Sequence, residues 1–183
     1  MIRKHVLVIS ASLRTGSNSE LLADAFIKGA RENGHLVEKL TLRDKALHFC
    51  NGCLACQKSR SGHCVIKDDA DEIIAKMSAA DVIVFATPVY FYEMCGQLKT
   101  LLDRTNPLFP LEYAFRTVYL ITTAAEREKA AMDNVVKGMC GWIDCFEKAS
   151  LQGVVYGTGV EQEHAVLKLS SHLQTAYEMG KMV

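Results

Sequence analysis

The chain has 183 residues, about half of them hydrophobic, and its 21 lysines and arginines balance 21 aspartates and glutamates, so the formal charge is zero. That length fits one domain with a substantial core, residues 1–183. Zero charge excludes the basic excess on which a nucleic-acid surface depends, and it offers nothing to an anionic membrane.

No apolar run approaches the roughly 20 residues needed to span a bilayer. The N-terminus, Met1-Ile2-Arg3-Lys4-His5, lacks an apolar signal region with a cleavage site, so the chain reads as cytoplasmic.

Residues 5–10 form a nearly continuous apolar run, the mark of a strand buried on both faces. The turn that follows, Ser10-Ala11-Ser12-Leu13-Arg14-Thr15-Gly16-Ser17-Asn18-Ser19, packs five hydroxyls, an amide and a guanidinium in front of a helical pattern. Ser17 and Glu20 fit a capping box, but capping needs one hydroxyl, and the rest suit an anion at a helix N-terminus. Leu21, Leu22, Ala25, Phe26 and Ala30 carry the helix to Asn33-Gly34. Residues 35–42 alternate as an edge strand would, a polar loop bearing cysteines spans about 43–67, and 68–80 is a helix opening on acids.

Residues 81–86 are a second buried strand ending in Thr87-Pro88-Val89-Tyr90-Phe91-Tyr92, followed by a helix over 96–105. A strand over 116–122 closes in Thr122-Thr123-Ala124-Ala125; a long helix over 126–149, a strand over 151–157 and a helix over 161–179 complete the chain. Five strands alternating with helices predict an α/β fold, a doubly wound five-stranded parallel sheet of order 2-1-3-4-5 with helices on both faces. Ligands in such sheets bind at the carboxyl ends of the strands. That rule selects the turns at 10–19, 87–92 and 122–125, which together suit a flat aromatic ligand carrying a phosphate. A Walker pattern is absent, and Gly157-Thr-Gly159 is read as a turn.

Four of the seven cysteines, Cys50, Cys53, Cys56 and Cys64, have the spacing C-x2-C-x2-C-x7-C. In a reducing compartment such a set points to metal or redox chemistry. Three readings stand: an iron–sulfur cluster, whose ferredoxin-type signature the last spacing departs from; zinc, which usually takes paired knuckles; and thiols that hold no metal or form a disulfide. Cys95, Cys140 and Cys145 read as small buried residues, and His48 and His63 as solvated.

The turn at 10–19, together with Thr87-Pro-Val-Tyr-Phe-Tyr and Gly96-Gln-Leu-Lys-Thr-Leu-Leu-Asp-Arg, resembles the NADPH-dependent FMN reductases of the flavodoxin-like superfamily over about residues 5–123. The cysteine loop with Asp68-Asp69 resembles the iron–sulfur flavoproteins, relatives that carry FMN and a 4Fe–4S cluster. The resemblance implies that Ser10, Ser12, Arg14, Ser17, Asn18 and Ser19 hold the FMN phosphate. It places Pro88, Val89, Tyr90, Phe91 and Tyr92 along the flavin ring, and Thr122 and Thr123 near its ribityl chain or pyrimidine edge. Lys99 and Asp103 are read as structural.

The implied activity is an oxidoreductase with NAD(P)H as cosubstrate and a quinone, flavin or other small molecule as acceptor. Ferredoxin would serve as donor if a cluster is bound, and the assembly would be a homodimer or homotetramer. The flavin supplies the chemistry, so no side chain is named catalytic. Two alternatives differ in class. One is a flavodoxin-type electron carrier without small-molecule turnover, against which the absence of an acidic excess speaks. The other is a structural module built on the cysteine loop.

Overall fold

The computed structural model describes residues 2–183. Five long strands, β1 (His5–Ser10), β2 (Leu36–Thr41), β3 (Val82–Tyr90), β5 (Thr117–Thr123) and β6 (Ser150–Gly157), make a parallel sheet in the order β2-β1-β3-β5-β6. The two-residue β4 (Glu93–Met94) folds back antiparallel on the end of β3. Counted over the long strands alone, this is the expected order 2-1-3-4-5.

Strand parity builds the two layers. Leu7 and Ile9 of β1 face α3 (Ala70–Ala79), α4 (Gly96–Arg104) and α5 (Asp133–Ile143), while Val6 and Val8 face α1 (Asn18–Glu32) and α6 (Ser170–Lys181). Both faces of β1 are fully buried, which is why its sequence is apolar without alternation. Two glycines let α1 and α6 meet backbone to backbone. A Cβ on Gly29 would fall on the Tyr177 carbonyl, and one on Gly180 on the Phe26 carbonyl.

Four expectations need correction. β3 runs four residues past Ala86 and carries Pro88. This is tolerated because β1 ends at Ser10, opposite Ala86, so no ladder bond is asked of residue 88 on that side. The long helix expected over 126–149 is instead a 3-10 turn (Lys129–Met132) followed by α5, which stops at Ile143. There the chain tightens, Phe146 N–H donating to Ile143 O, and sets Phe146 among Phe109, Tyr113, Phe115 and Trp142.

The last helix begins at Ser170, because residues 160–166 are held in an irregular path by Asn18. Cys145 is exposed and Cys140 half-buried, while Cys95 is buried as expected. The cysteine loop also contains one short helix, α2 (Ala55–Ser59).

Candidate functional site

The first turn ends in a well-formed helix cap. Ser17 Oγ accepts from Glu20 N at 3.3 Å, and the Glu20 carboxylate accepts from Gly16 N at 3.0 Å. Burial pushes the Glu20 carboxyl up, but Lys39, the Gly16 N–H and Arg43 outweigh it and hold it below its ordinary value. The acid behind the turn is therefore neutralised from behind, by Lys39 at 2.9 Å and Arg43 at 3.5 Å.

In front, the first N–H groups of α1 have no intrahelical acceptor. Arg14 is exposed at the rim, its backbone N–H donating to Ser12 Oγ at 3.2 Å. Gly16 has φ +64°, and a Cβ there would meet His164 Nε2 at 2.6 Å, so only glycine lets the turn lie against that ring.

Asn18 takes another part. Its Nδ2 donates to Val160 O at 3.1 Å and Gln162 O at 2.8 Å, and its Oδ1 accepts from Val166 N at 3.0 Å. The side-chain amide is thereby committed to the segment after β6, and what Asn18 presents to the cleft is its backbone N–H.

The second turn is a hairpin with a two-residue loop. Tyr90 pairs with Glu93, and Phe91 and Tyr92 between them have φ +51° and +65°. Bulky residues rarely occupy this left-handed region, and such turns normally take Asn-Gly. Phe91 is fully exposed at the tip, and Tyr92 is largely so. The hairpin is anchored at its base: Cys95 N–H donates to Thr87 Oγ1 at 3.2 Å, and Cys95 Sγ donates to Ala11 O at 3.6 Å.

One open cleft of about 160 Å³ gathers Ser12, Arg14, Ser17, Asn18 and Ser19 with Pro88, Val89, Tyr90 and Thr123. Four predicted residues lie outside its lining. Phe91 and Tyr92 sit at the hairpin tip, and Ser10 and Thr122 lie buried beneath the floor on opposite faces of the sheet. Among the described residues, the Ser10 and Thr122 hydroxyls have no hydrogen-bond partner, an open demand at the ends of two strands.

Ala124, Ala125, Val160, Glu161 and Glu163 also line the cleft. The alanines belong to a turn the topology had selected. The other three were missed, although Gly157-Thr-Gly159 after the last strand marks the same sheet edge. The cleft thus joins the N-terminus of α1 to an apolar edge along β3.

The cysteine loop forms a second centre. Cys50, Cys53, Cys56 and Cys64 all line one small hollow of about 20 Å³, with Val65, Ile66 and Asn106 beside them, and all four thiols are free. Among the described residues, no three His, Cys, Asp or Glu side chains converge as ligands of a single ion. Burial pushes the Cys56 thiol up, and the neighbouring Cys64 adds to that. His48 and His63 are exposed, and each faces a carboxylate, Asp68 at 3.2 Å and Asp71 at 3.4 Å.

The loop is closed by Arg104 at the end of α4, a fully buried guanidinium. Its NH1 donates to Asp68 Oδ2 at 2.6 Å and to His48 O at 2.8 Å; its NH2 donates to Asp68 Oδ1 at 3.0 Å and to Ile66 O at 3.4 Å. Burial pushes the Asp68 carboxyl up, but Arg104 and the His48 and Ala70 N–H groups hold it far below the usual carboxylate range. The Cys64 thiol lies close enough to Arg104 to favour the guanidinium charge. The Lys99–Asp103 pair, 2.6 Å apart on the same helix, is an exposed i,i+4 ion pair.

The family model for NADPH-dependent FMN reductases matches residues 5–156. An iron–sulfur flavoprotein of Methanocaldococcus jannaschii is 43% identical over 103 residues, 56% of this chain and 52% of that protein. Another from Methanosarcina thermophila is 40% identical over 108 residues, 59% of this chain and 56% of that one. The chain spans about half the length of these curated relatives. An NAD(P)H:quinone oxidoreductase from Methanothermobacter marburgensis shares the fold, with a TM-score of 0.74 at 18% identity over 98% of this chain and 96% of that one. With 5–156 covering most of its length and both centres built on the loops of a flavodoxin-like sheet, the chain belongs to the NADPH-dependent FMN reductase family.

Proposed function

We propose that residues 1–183 act as one FMN-binding domain and that the protein is an oxidoreductase passing electrons from NAD(P)H to a quinone, a flavin or another small acceptor. The observation that carries this reading is the cleft, where a capped helix end, a free guanidinium and an apolar strand edge meet. The residues fit FMN. The Asn18 and Ser19 N–H groups, the Ser12, Ser17 and Ser19 hydroxyls and Arg14 would hold the phosphate. Pro88, Val89 and Tyr90 would border the ring, with Thr123 to Ala125 across from them.

Bound FMN supplies the hydride and electron chemistry. The chain's own part is to fix the phosphate, to cover one side of the ring with β3 and to leave the mouth open for substrate. No side chain in the cleft is assigned as acid or base.

In the same reading Cys50, Cys53, Cys56 and Cys64 hold a 4Fe–4S cluster, whose one-electron chemistry would admit a ferredoxin as donor. It is supported by four free thiols on one hollow and by the names of the curated relatives. The molecule would work as a homodimer or homotetramer. Among the described residues, no helix is long and apolar enough to cross a membrane.

Titration with FMN and riboflavin tests the cleft. FMN should bind more tightly, and Arg14→Ala should weaken FMN about 10–100-fold, the worth of one charge-assisted bond. Riboflavin, which has no phosphate, should be unaffected by that change. Equal loss for both ligands, or no binding of either, would reject the assignment. NADPH consumption with a quinone separates an enzyme from a carrier, and an anaerobic spectrum with iron and flavin quantitation tests the cluster.

A further inference from the structure

We infer that Arg104 is the positioning residue of the four-cysteine site: it clasps both ends of the loop and keeps a buried N–H in reserve for the cysteine sulfurs. This rests on the reading of that loop as a cluster site. The grip is symmetrical about the ligands. Arg104 holds the carbonyl of His48, two residues before Cys50, and that of Ile66, two residues after Cys64. Asp68 anchors the same guanidinium through both its oxygens and also accepts from the His48 N–H at 2.8 Å, tying the two ends to each other.

Four of the five guanidinium N–H positions are accounted for by these acceptors. The remaining one, on Nε, is buried without a hydrogen-bond partner among the described residues. A buried donor rarely stands idle, and a cation kept away from water is an unusual choice for closing a surface loop. Both features make sense if negative charge on sulfur develops beside it, because hydrogen bonds and positive charge near thiolate sulfurs orient metal ligands and set a cluster's potential.

The position of Arg104 adds a second consequence. It ends α4, the helix that starts just after the β4 strand, and so the cysteine site is fixed to the element that also carries the hairpin at the cleft. The residue acts through the loop and the cysteine sulfurs and touches no substrate, so it is a positioning residue.

Arg104→Gln and Arg104→Lys, made in the full chain and reconstituted without oxygen with ferrous iron and sulfide, test the inference. Iron per chain, FMN per chain, cluster midpoint potential and hydrogen exchange over residues 45–67 are measured. Arg104→Gln should weaken iron uptake about 10–100-fold, as loss of an outer-shell partner does, with FMN content kept. Any cluster it retains should have a more negative potential, because a cation that favours the reduced state is gone. Arg104→Lys, which keeps charge but not the fork, should recover part of both.

Unchanged iron and potential would overturn the inference. So would an Arg104→Gln protein that loses FMN and fold together with iron, since the residue would then support the whole chain. If the wild type itself takes up no iron, the cluster reading fails alone and exchange decides. Faster exchange confined to 45–67 in Arg104→Gln sustains the clasp, and unchanged exchange removes it.

Discussion

The Asn18 side chain bonds to three backbone groups of residues 160–166, while its own N–H stands at the start of α1. From the sequence, an asparagine among serines in front of a helix reads as one more phosphate ligand. Its residue type and its place were legible; its partner was not, because nothing local shows which distant segment returns to that helix end. Ser10 and Thr122 teach the same point from the other side. Both are buried at strand ends beneath the lining, one on each face of the sheet, and residue type alone does not show that depth. Asn18→Ala should leave Val160 O and Val166 N unpaired, while Gln162 O keeps the Ala165 N–H, a loss of about 2–3 kcal/mol. Thermal unfolding should register a midpoint about 5–10 °C lower. A change under a degree would mean that residues 160–166 hold their path unaided.

Among the elements, the β3–β4 hairpin is the one the sequence conceals. Two-residue hairpin loops announce themselves by Asn-Gly or Asp-Gly, and Tyr-Phe-Tyr contains neither. The fold imposes the turn because Thr87 and Cys95 fix its base, and the aromatic pair at the tip accepts left-handed geometry. Such strain persists where surrounding structure overrides it, often at working sites. Phe91→Gly should therefore stabilise the isolated chain by about 1 kcal/mol, since an L side chain in that region is worth roughly that much strain. A melting point 2–4 °C higher is the expected reading. A lower one would reveal that Phe91 makes stabilising contacts, as it would within an oligomer. The α5 and α6 boundaries were misplaced for a related reason: helical periodicity continues through 126–149 and 161–179, whereas the chain turns where tertiary contacts demand it.

At the scale of the whole molecule, the order of strands and the two-layer core follow from apolar periodicity and right-handed crossovers, so the fold was largely readable. The joint between α1 and α6 was not. Gly29 and Gly180 look like weak points in helices, yet they are where two backbones touch. Gly180→Ala should cost about 1–3 kcal/mol by overpacking that crossing. Gly141→Ala, on α5 with nothing within 4 Å of the added methyl, should be neutral or stabilising. Chemical denaturation of the pair checks both signs in one experiment, and equal effects would show that the crossing has room to give. The four cysteines were also legible as a group from spacing alone. Their organiser, Arg104, lies in another element and carries no cysteine-like signature.

The Arg104 clasp can also be read as chain entropy. It ties His48 to Asp68 much as a cross-link would, and a covalent closure of comparable span removes on the order of 3 kcal/mol of disorder from an unfolded chain. The cysteines are thus gathered before anything binds them, and a ligand need not repeat that ordering. An ionic link differs from a disulfide in what opens it: reductants leave it intact, and acid does not. With the Asp68 carboxyl held below its unfolded value of about 3.9, the stability it lends is fully present above that pH and fades as pH falls further toward the folded value. Brief digestion with pepsin should therefore cut within 45–67 before it reaches the sheet, making this loop the molecule's acid-sensitive seam.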